Sequence, residues 1–266
     1  MLPYVILPLV AFAAGFVDAI AGGGGLLTVP ALFSFTPDIR LALGTNKGQA
    51  IFGAITSLTS FTRAGRVNRR RAVPAFLAAL LGSLAGVKLV MSIPSTALRP
   101  IVLVLLVAVA VFFLVRRKRP PRSAVVGEPP PPPPPRGGFA IVHRHPVVFA
   151  ALVGGALGLY DGFFGPGTGT FLIALHTTLF GDELTEASAN AKVANFASNL
   201  GAVAMFAWEG KIELKWALPM AAAQIAGAWV CARTAIKGGE RVVRAGVLAV
   251  TVALVVRLTW QMLASG

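Results

Sequence analysis

The sequence predicts an all-α polytopic membrane protein built from two homologous repeats. Three observations predict it. Apolar runs close to the length of a membrane span recur along the chain, basic residues gather in the gaps between them, and identities line up when the chain is slid along itself by about 145 residues. Of the 266 residues, 56% are hydrophobic and 13% charged, and the mean hydropathy is +0.76. A soluble domain of this length needs a more charged surface. No charged residue interrupts Met1–Val17, Gly48–Thr62, Ile101–Val115 or Pro146–Tyr160, and a spanning helix needs about 20 mostly apolar residues. No basic residue precedes the first run, which leads straight into a second apolar segment. It therefore reads as part of the membrane body and not as a cleavable leader.

The repeat is carried by particular residues. At an offset of 145, Lys47 meets Lys192, Phe61 meets Phe206, Gly65 meets Gly210, Pro74 meets Pro219, Gly82 meets Gly227 and Arg99 meets Arg244. Nearer the start of each repeat the offset is 143, where Gly15 meets Gly158, Asp18 meets Asp161, Gly22 meets Gly165 and Gly24 meets Gly167. Two extra residues in the loop Gly181–Glu186 account for the change. The domains are then a first transmembrane repeat at 1–118, a basic, proline-rich linker at 119–145 and a second transmembrane repeat at 146–266. The run Pro129–Pro135 is polyproline II in character and cannot span a membrane as a helix. It reads as a solvated spacer.

Each repeat begins with an apolar run broken by glycine. In the first, Leu2–Ala21 is followed by Gly22-Gly23-Gly24-Gly25 and then Leu26–Phe35. In the second, Val147–Phe164 is followed by Gly165-Pro166-Gly167-Thr168-Gly169 and then Thr170–Phe180. The pieces after the glycines are too short to span as full helices. Three further helices are predicted in each repeat. These are about Leu41–Arg63, Ala72–Met91 and Leu98–Val115, and then about Ala187–Trp208, Trp216–Ile236 and Arg244–Leu258.

Charge sets the orientation. Arg63, Arg66, Arg69, Arg70 and Arg71 share one gap, and Arg116, Arg117, Lys118, Arg119, Arg122, Arg136 and Arg144 share another. Clusters of this kind beside apolar spans mark cytoplasmic loops. They account for the net charge of +14 without a nucleic-acid partner, which is not expected. If each glycine-broken segment turns back to the side it came from, the second repeat is inverted relative to the first. If each crosses once, the repeats are parallel. The basic Lys237–Arg244 loop and the balanced Glu209–Lys215 loop favour inversion, with both termini in the periplasm.

Non-helical backbone at membrane depth persists only inside protein or beside a water-filled cavity. Four consecutive glycines would weaken a continuous helix by about 1 kcal/mol each relative to alanine, and the break occurs twice. The short helices that follow expose free N–H groups suited to an anion. Tight helix packing on small residues is the other reading. The next helix of each repeat adds polar side chains, Thr45, Asn46, Lys47 and Gln49 in one and Asn190, Lys192, Asn195 and Asn199 in the other. Asn195 and Asn199 share a helix face. Lys47 and Lys192 either face a cavity or reach the interface. Asp18 and Asp161 can pair with the lysines, bind a proton or cap backbone donors, and pairing is the simplest role.

The duplicated pattern Gly15-x-x-Asp18-x-x-x-Gly22-Gly23-Gly24-Gly25, with Thr45-Asn46-Lys47 following, resembles the TauE/SafE sulfite exporter family. The second copy, Gly158-x-x-Asp161-x-x-x-Gly165-Pro166-Gly167-Thr168-Gly169, is similar to that family's second half. The resemblance spans nearly all of the chain outside the linker. It implies transport of sulfur-containing anions, such as sulfite or organosulfonates, across a bacterial inner membrane. The expected partners are that anion and the lipid bilayer, with a second copy of the chain as a further option.

Other classes find less support. No ATP-binding glycine loop with Lys-Ser/Thr is present, so transport is expected to be secondary or passive. No His-Glu-x-x-His, serine elbow or metal-binding carboxylate cluster points to an enzyme, and no cofactor is expected. Cys231 stands alone, which excludes an intramolecular disulfide, and His143, His145 and His176 lack metal-ligand spacing. An anion channel and a carboxylate permease remain open alternatives.

Overall fold

The computed structural model describes residues 2–21, 23–36, 38–63, 65–116 and 140–230. Gly22, the proline run, Cys231 and the helix expected at Arg244–Leu258 lie outside them. The described residues are all helical apart from turns and connections. In order they form α1 (Leu2–Ala21), α2 (Gly25–Phe33), α3 (Ile39–Arg63), α4 (Arg69–Ser92), α5 (Ser95–Arg116), the short α6 (Ala140–Arg144), α7 (Pro146–Phe163), α8 (Thr168–Leu179) and α9 (Leu184–Trp208). A last helix, α10, covers residues 214–230. The expected elements within the described residues are therefore present, and their ends fall where the glycines and polar loops place them.

Arg69–Ser92, Ser95–Phe112 and Pro146–Phe163 are long and apolar enough to cross a membrane. Each also carries large apolar side chains on its outside, among them Leu77, Leu81, Val104, Leu152 and Leu159. Such a surface suits hydrocarbon and not water. On the inner side of α5, Leu98, Val102, Leu106 and Val109 recur at helical spacing. They pack against Val87, Val90 and Phe206.

The two halves interlock through small residues. Along α4 and α7, Gly154 meets the backbone of Ala75, Gly158 that of Ala79 and Gly162 that of Ser83. These contacts advance together along both helices, so α4 and α7 run parallel. With no side chain in the way the backbones come into direct contact, as small residues allow between membrane helices. The contact recurs between the halves with the partners exchanged. Gly15 of α1 meets Gln224 of α10, and Gly227 of α10 meets Phe12 of α1.

The central pair, α3 and α9, runs antiparallel. Gly44, near the start of α3, lies against Lys211 and Phe206 at the end of α9. At the other end, the backbone N–H of Asn68 donates to Asn190 near the start of α9 (2.9 Å). The glycine-broken hairpins enter this pair from opposite ends. The start of α1 and the end of α2 share a core with Trp216 and Met220. The start of α7 and the residue after α8, Phe180, share one with Ala75 and Val142. Each hairpin thus returns to the end it came from, and its tip lies deep between the helices.

Candidate functional site

The hairpin tips meet. A Cβ built on Gly25 would lie 3.4 Å from the Cα of Pro166. The two breaks differ in construction. In the second, Gly165 and Gly167 adopt φ of 96° and 87°, a left-handed conformation that other residues rarely adopt. Thr168 donates its hydroxyl to the Gly165 carbonyl (2.7 Å), and Tyr160 donates its hydroxyl to Pro166 O (2.6 Å). In the first, the Gly24 N–H points toward the Asp18 carboxylate at 3.4 Å. A side chain on Gly24 would run into the Ala14 carbonyl.

Around the tips lies a cavity of about 40 Å³, lined by Asp18, Gly24, Gly25, Asn46, Lys47, Gln49, Ala50, Asp161, Gly165, Gly167, Gly169, Asn195, Asn199 and Gln224. Twelve of these fourteen were singled out in the sequence. A cavity of that size holds a small polar guest or a few waters. The remaining sequence candidates lie beside the cavity or elsewhere. Gly23 is buried next to it, and Pro166 closes the contact with Gly25. Thr168 caps its own turn. Thr45 and Asn190 serve the helix ends instead. The Thr45 hydroxyl accepts from Glu213 N at 3.0 Å, and the Asn190 side chain accepts from Asn68 N.

The lysines do not reach the protein surface. Both are buried, and each pairs with the aspartate of the other half. Lys47 Nζ lies 2.8 Å from Asp161 Oδ1. Lys192 Nζ lies 3.7 Å from Asp18 Oδ2 and donates to the Asp18 carbonyl at 3.3 Å. Ser198 adds a 2.5 Å hydrogen bond to the other Asp161 oxygen. A buried ion pair is stable only when its remaining hydrogen-bonding capacity is also met, and Asp161 satisfies this better than Asp18.

The amides behave differently. Asn46 accepts from Thr28 and from Gln49 Nε2 at 3.2 Å. Asn199 Nδ2 donates to the Asn195 carbonyl at 2.7 Å. Yet Gln49 Oε1, Asn199 Oδ1 and Gln224 Oε1 are buried without a hydrogen-bond partner. Each such orphan costs about 1–3 kcal/mol. All three of these residues line the cavity. Gln224 escaped the sequence reading because its equivalent in the first half is Ala79, so the repeat comparison gave it no weight.

A second polar cluster sits where α4 and α9 begin. Arg71 Nη2 lies 2.7 Å from Asp182 and 3.2 Å from Glu186. His176 Nδ1 lies 3.2 Å from the other Asp182 oxygen, and the Arg71 guanidinium stacks over Phe180. Burial alone would raise the Asp182 carboxyl, but hydrogen bonds to His176 and Arg71 and the Arg71 charge hold it below the usual carboxylate range. At the opposite end Asp38 pairs with Lys211 at 2.8 Å, and the same balance of burial against that ammonium lowers Asp38. The first cluster joins α4 and α8 to the start of α9, the second joins the start of α3 to the segment after α9, and none of these residues lines the cavity.

Comparison with known proteins agrees with the motif. The model of the family described as "Sulfite exporter TauE/SafE" matches residues 7–258. The chain belongs to that family. A "Probable membrane transporter protein ORF9" of Sinorhizobium is 35% identical over 253 residues, covering 93% of this chain and 89% of that protein. The "Probable membrane transporter protein YfcA" of Escherichia coli K12 is 33% identical over 255 residues, covering 96% and 89% respectively. A "Probable membrane transporter protein" of Haemophilus influenzae is 35% identical over 239 residues, covering 90% and 88%. No solved structure matches the chain at a significant level. With its apolar helices, this TauE/SafE chain is a membrane protein of a transporter family.

Proposed function

We propose that this TauE/SafE protein is a secondary transporter, working as an exporter of small sulfur-containing anions such as sulfite or organosulfonates. It acts across the bacterial inner membrane by alternating access around the cavity between the two glycine breaks. The observation that carries this reading is the convergence of both breaks, both aspartates and the amides of both halves on one cavity. Converging half-helices at the junction of two repeats are a common transporter plan. The N-termini of α2 and α8 bring positive partial charge toward that junction, which favours an anion. Lys47 supplies a full positive charge, and the terminal amides of Asn195, Asn199 and Gln224 can turn their NH₂ groups toward a guest. A sulfonate offers three acceptor oxygens to such donors.

The same reading makes the halves inverted repeats related by a pseudo-twofold axis in the membrane plane. The exchange of partners between α1–α10 and α4–α7, the antiparallel α3–α9 pair and the hairpins entering from opposite ends support it. The Arg63–Arg71 end is then cytoplasmic, and the termini are periplasmic. The test is reconstitution in liposomes with a panel of labelled sulfonates and carboxylates. Saturable movement of unmodified sulfonate is expected. Ohmic anion flux would indicate a channel, preference for carboxylates a different permease, and chemical change of the substrate an enzyme. Reporter fusions at Gly266 and within Pro129–Pro135 test the topology, and a cytoplasmic carboxy terminus would sink the inversion.

A further inference from the structure

The charges around the cavity carry the inference one step further, resting on the anion reading above. Four charged side chains meet there, Lys47 from α3, Lys192 from α9, Asp18 from α1 and Asp161 from α7. They form two crossed pairs, so the set is neutral. Of the four, Asp18, Asp161 and Lys47 line the cavity. An arriving anion therefore meets two carboxylates and a single ammonium that is already held. Titratable groups on the other packed helices face elsewhere. His176 of α8 and Arg71 of α4 are engaged with Asp182, and Lys88 of α4 is exposed.

We infer that the anion is bound together with one proton, which is taken up by Asp161. The exchange balances. The Lys47 ammonium leaves the Asp161 carboxylate for the anion, Asp161 takes one proton from water, and the set is as neutral after binding as before. Without that proton, Asp161 would be a buried carboxylate stripped of its ammonium, which is strongly unfavourable. A metal cation fits less well, because the Lys47 ammonium occupies the Asp161 carboxylate at 2.8 Å. A transporter with this chemistry moves the anion and the proton in the same direction, so export runs down the anion's own outward gradient and the proton travels with it.

The experiment is calorimetry of the purified full-length protein with methanesulfonate, a strong acid's anion that does not itself titrate. Titrations at one pH in buffers of different ionisation enthalpy count the protons absorbed. About one per anion is expected, with Kd rising about tenfold for each pH unit where the empty site is ionised. Asp161→Asn should take up no proton and give a flat pH profile, with tighter binding than the parent at alkaline pH. Asp18→Asn should keep most of the uptake. Anion binding by the parent without proton uptake would overturn the inference, as would uptake lost in Asp18→Asn but kept in Asp161→Asn, or binding that follows sodium and not pH. The parent's proton count stands even if a variant fails to fold. Absence of any heat with methanesulfonate would instead strike the anion reading on which the inference rests.

Discussion

The two glycine breaks occupy equivalent positions, yet they are held in different ways. The second is fixed from within, by Pro166, by two glycines with positive φ and by the hydroxyls of Thr168 and Tyr160. Among the described residues of the first, the Gly24 N–H lies 3.4 Å from the Asp18 carboxylate and the Thr28 hydroxyl donates to the Gly24 carbonyl at 3.3 Å, and no glycine has a positive φ. The ion pairs follow the same asymmetry. Lys47 and Asp161, beside the rigid break, are in direct contact at 2.8 Å. Lys192 and Asp18, beside the looser break, are 3.7 Å apart, and the Asp18 side chain is 20% exposed. The contrast sets the two crossed pairs apart: the one beside the second break is the tighter and the more buried.

The largest effects should come from breaking the stronger pair. Lys47→Ala leaves Asp161 buried without its ammonium, and removing one partner of a buried pair costs about 3–5 kcal/mol. Lys192→Ala strands the more exposed Asp18 and should cost clearly less. Thermal unfolding of both variants in detergent measures the difference. Equal losses would remove the asymmetry argued above.

Glycine substitutions come next. Gly167→Val forces a β-branched residue into a left-handed conformation, which is strained by at least about 1–2 kcal/mol. Gly24→Val drives a side chain toward the Ala14 carbonyl. Both should abolish sulfonate transport while the protein stays in the membrane, as transport assays normalised to membrane levels would show. Retained transport in both variants would reduce the breaks to packing features. Asn195→Ala should do less. It removes a side chain from the cavity wall and should weaken sulfonate binding by about 1–3 kcal/mol if the amide donates to the charged group, measured by calorimetry.

Much of this was legible before the structure, and the reasons are physical. Glycine runs and apolar lengths determine where backbone can be helical, so the helix order followed from composition. The offset of the repeat told which residues are equivalent, and it brought Asp18, Asp161, Lys47 and Lys192 forward together. It could not tell that the pairs cross between halves, because equivalence in sequence says nothing about which copy is the neighbour. Gln224 was missed because Ala79 stands in its place in the first half. Arg71 was counted as one of a cytoplasmic cluster. Its burial against Asp182, 111 residues away, depends on α4 packing beside α7 and α9, which no local pattern encodes.

The smallest effect is expected in the linker, and it bears on whether the asymmetry belongs to the halves alone. The cavity, both crossed pairs and the α4–α7 seam are built from residues before 117 and after 139. The proline run cannot pack a core of its own. Its length affects only the entropy of tethering the halves, and doubling such a loop changes that by about 0.6 kcal/mol. Removing a few of Pro129–Pro135 should therefore leave sulfonate transport nearly at the parent rate, measured in liposomes at equal protein density. If transport falls while membrane levels and thermal stability hold, the linker controls how one half moves against the other. The difference between the two breaks would then have to be explained together with the segment that joins the halves.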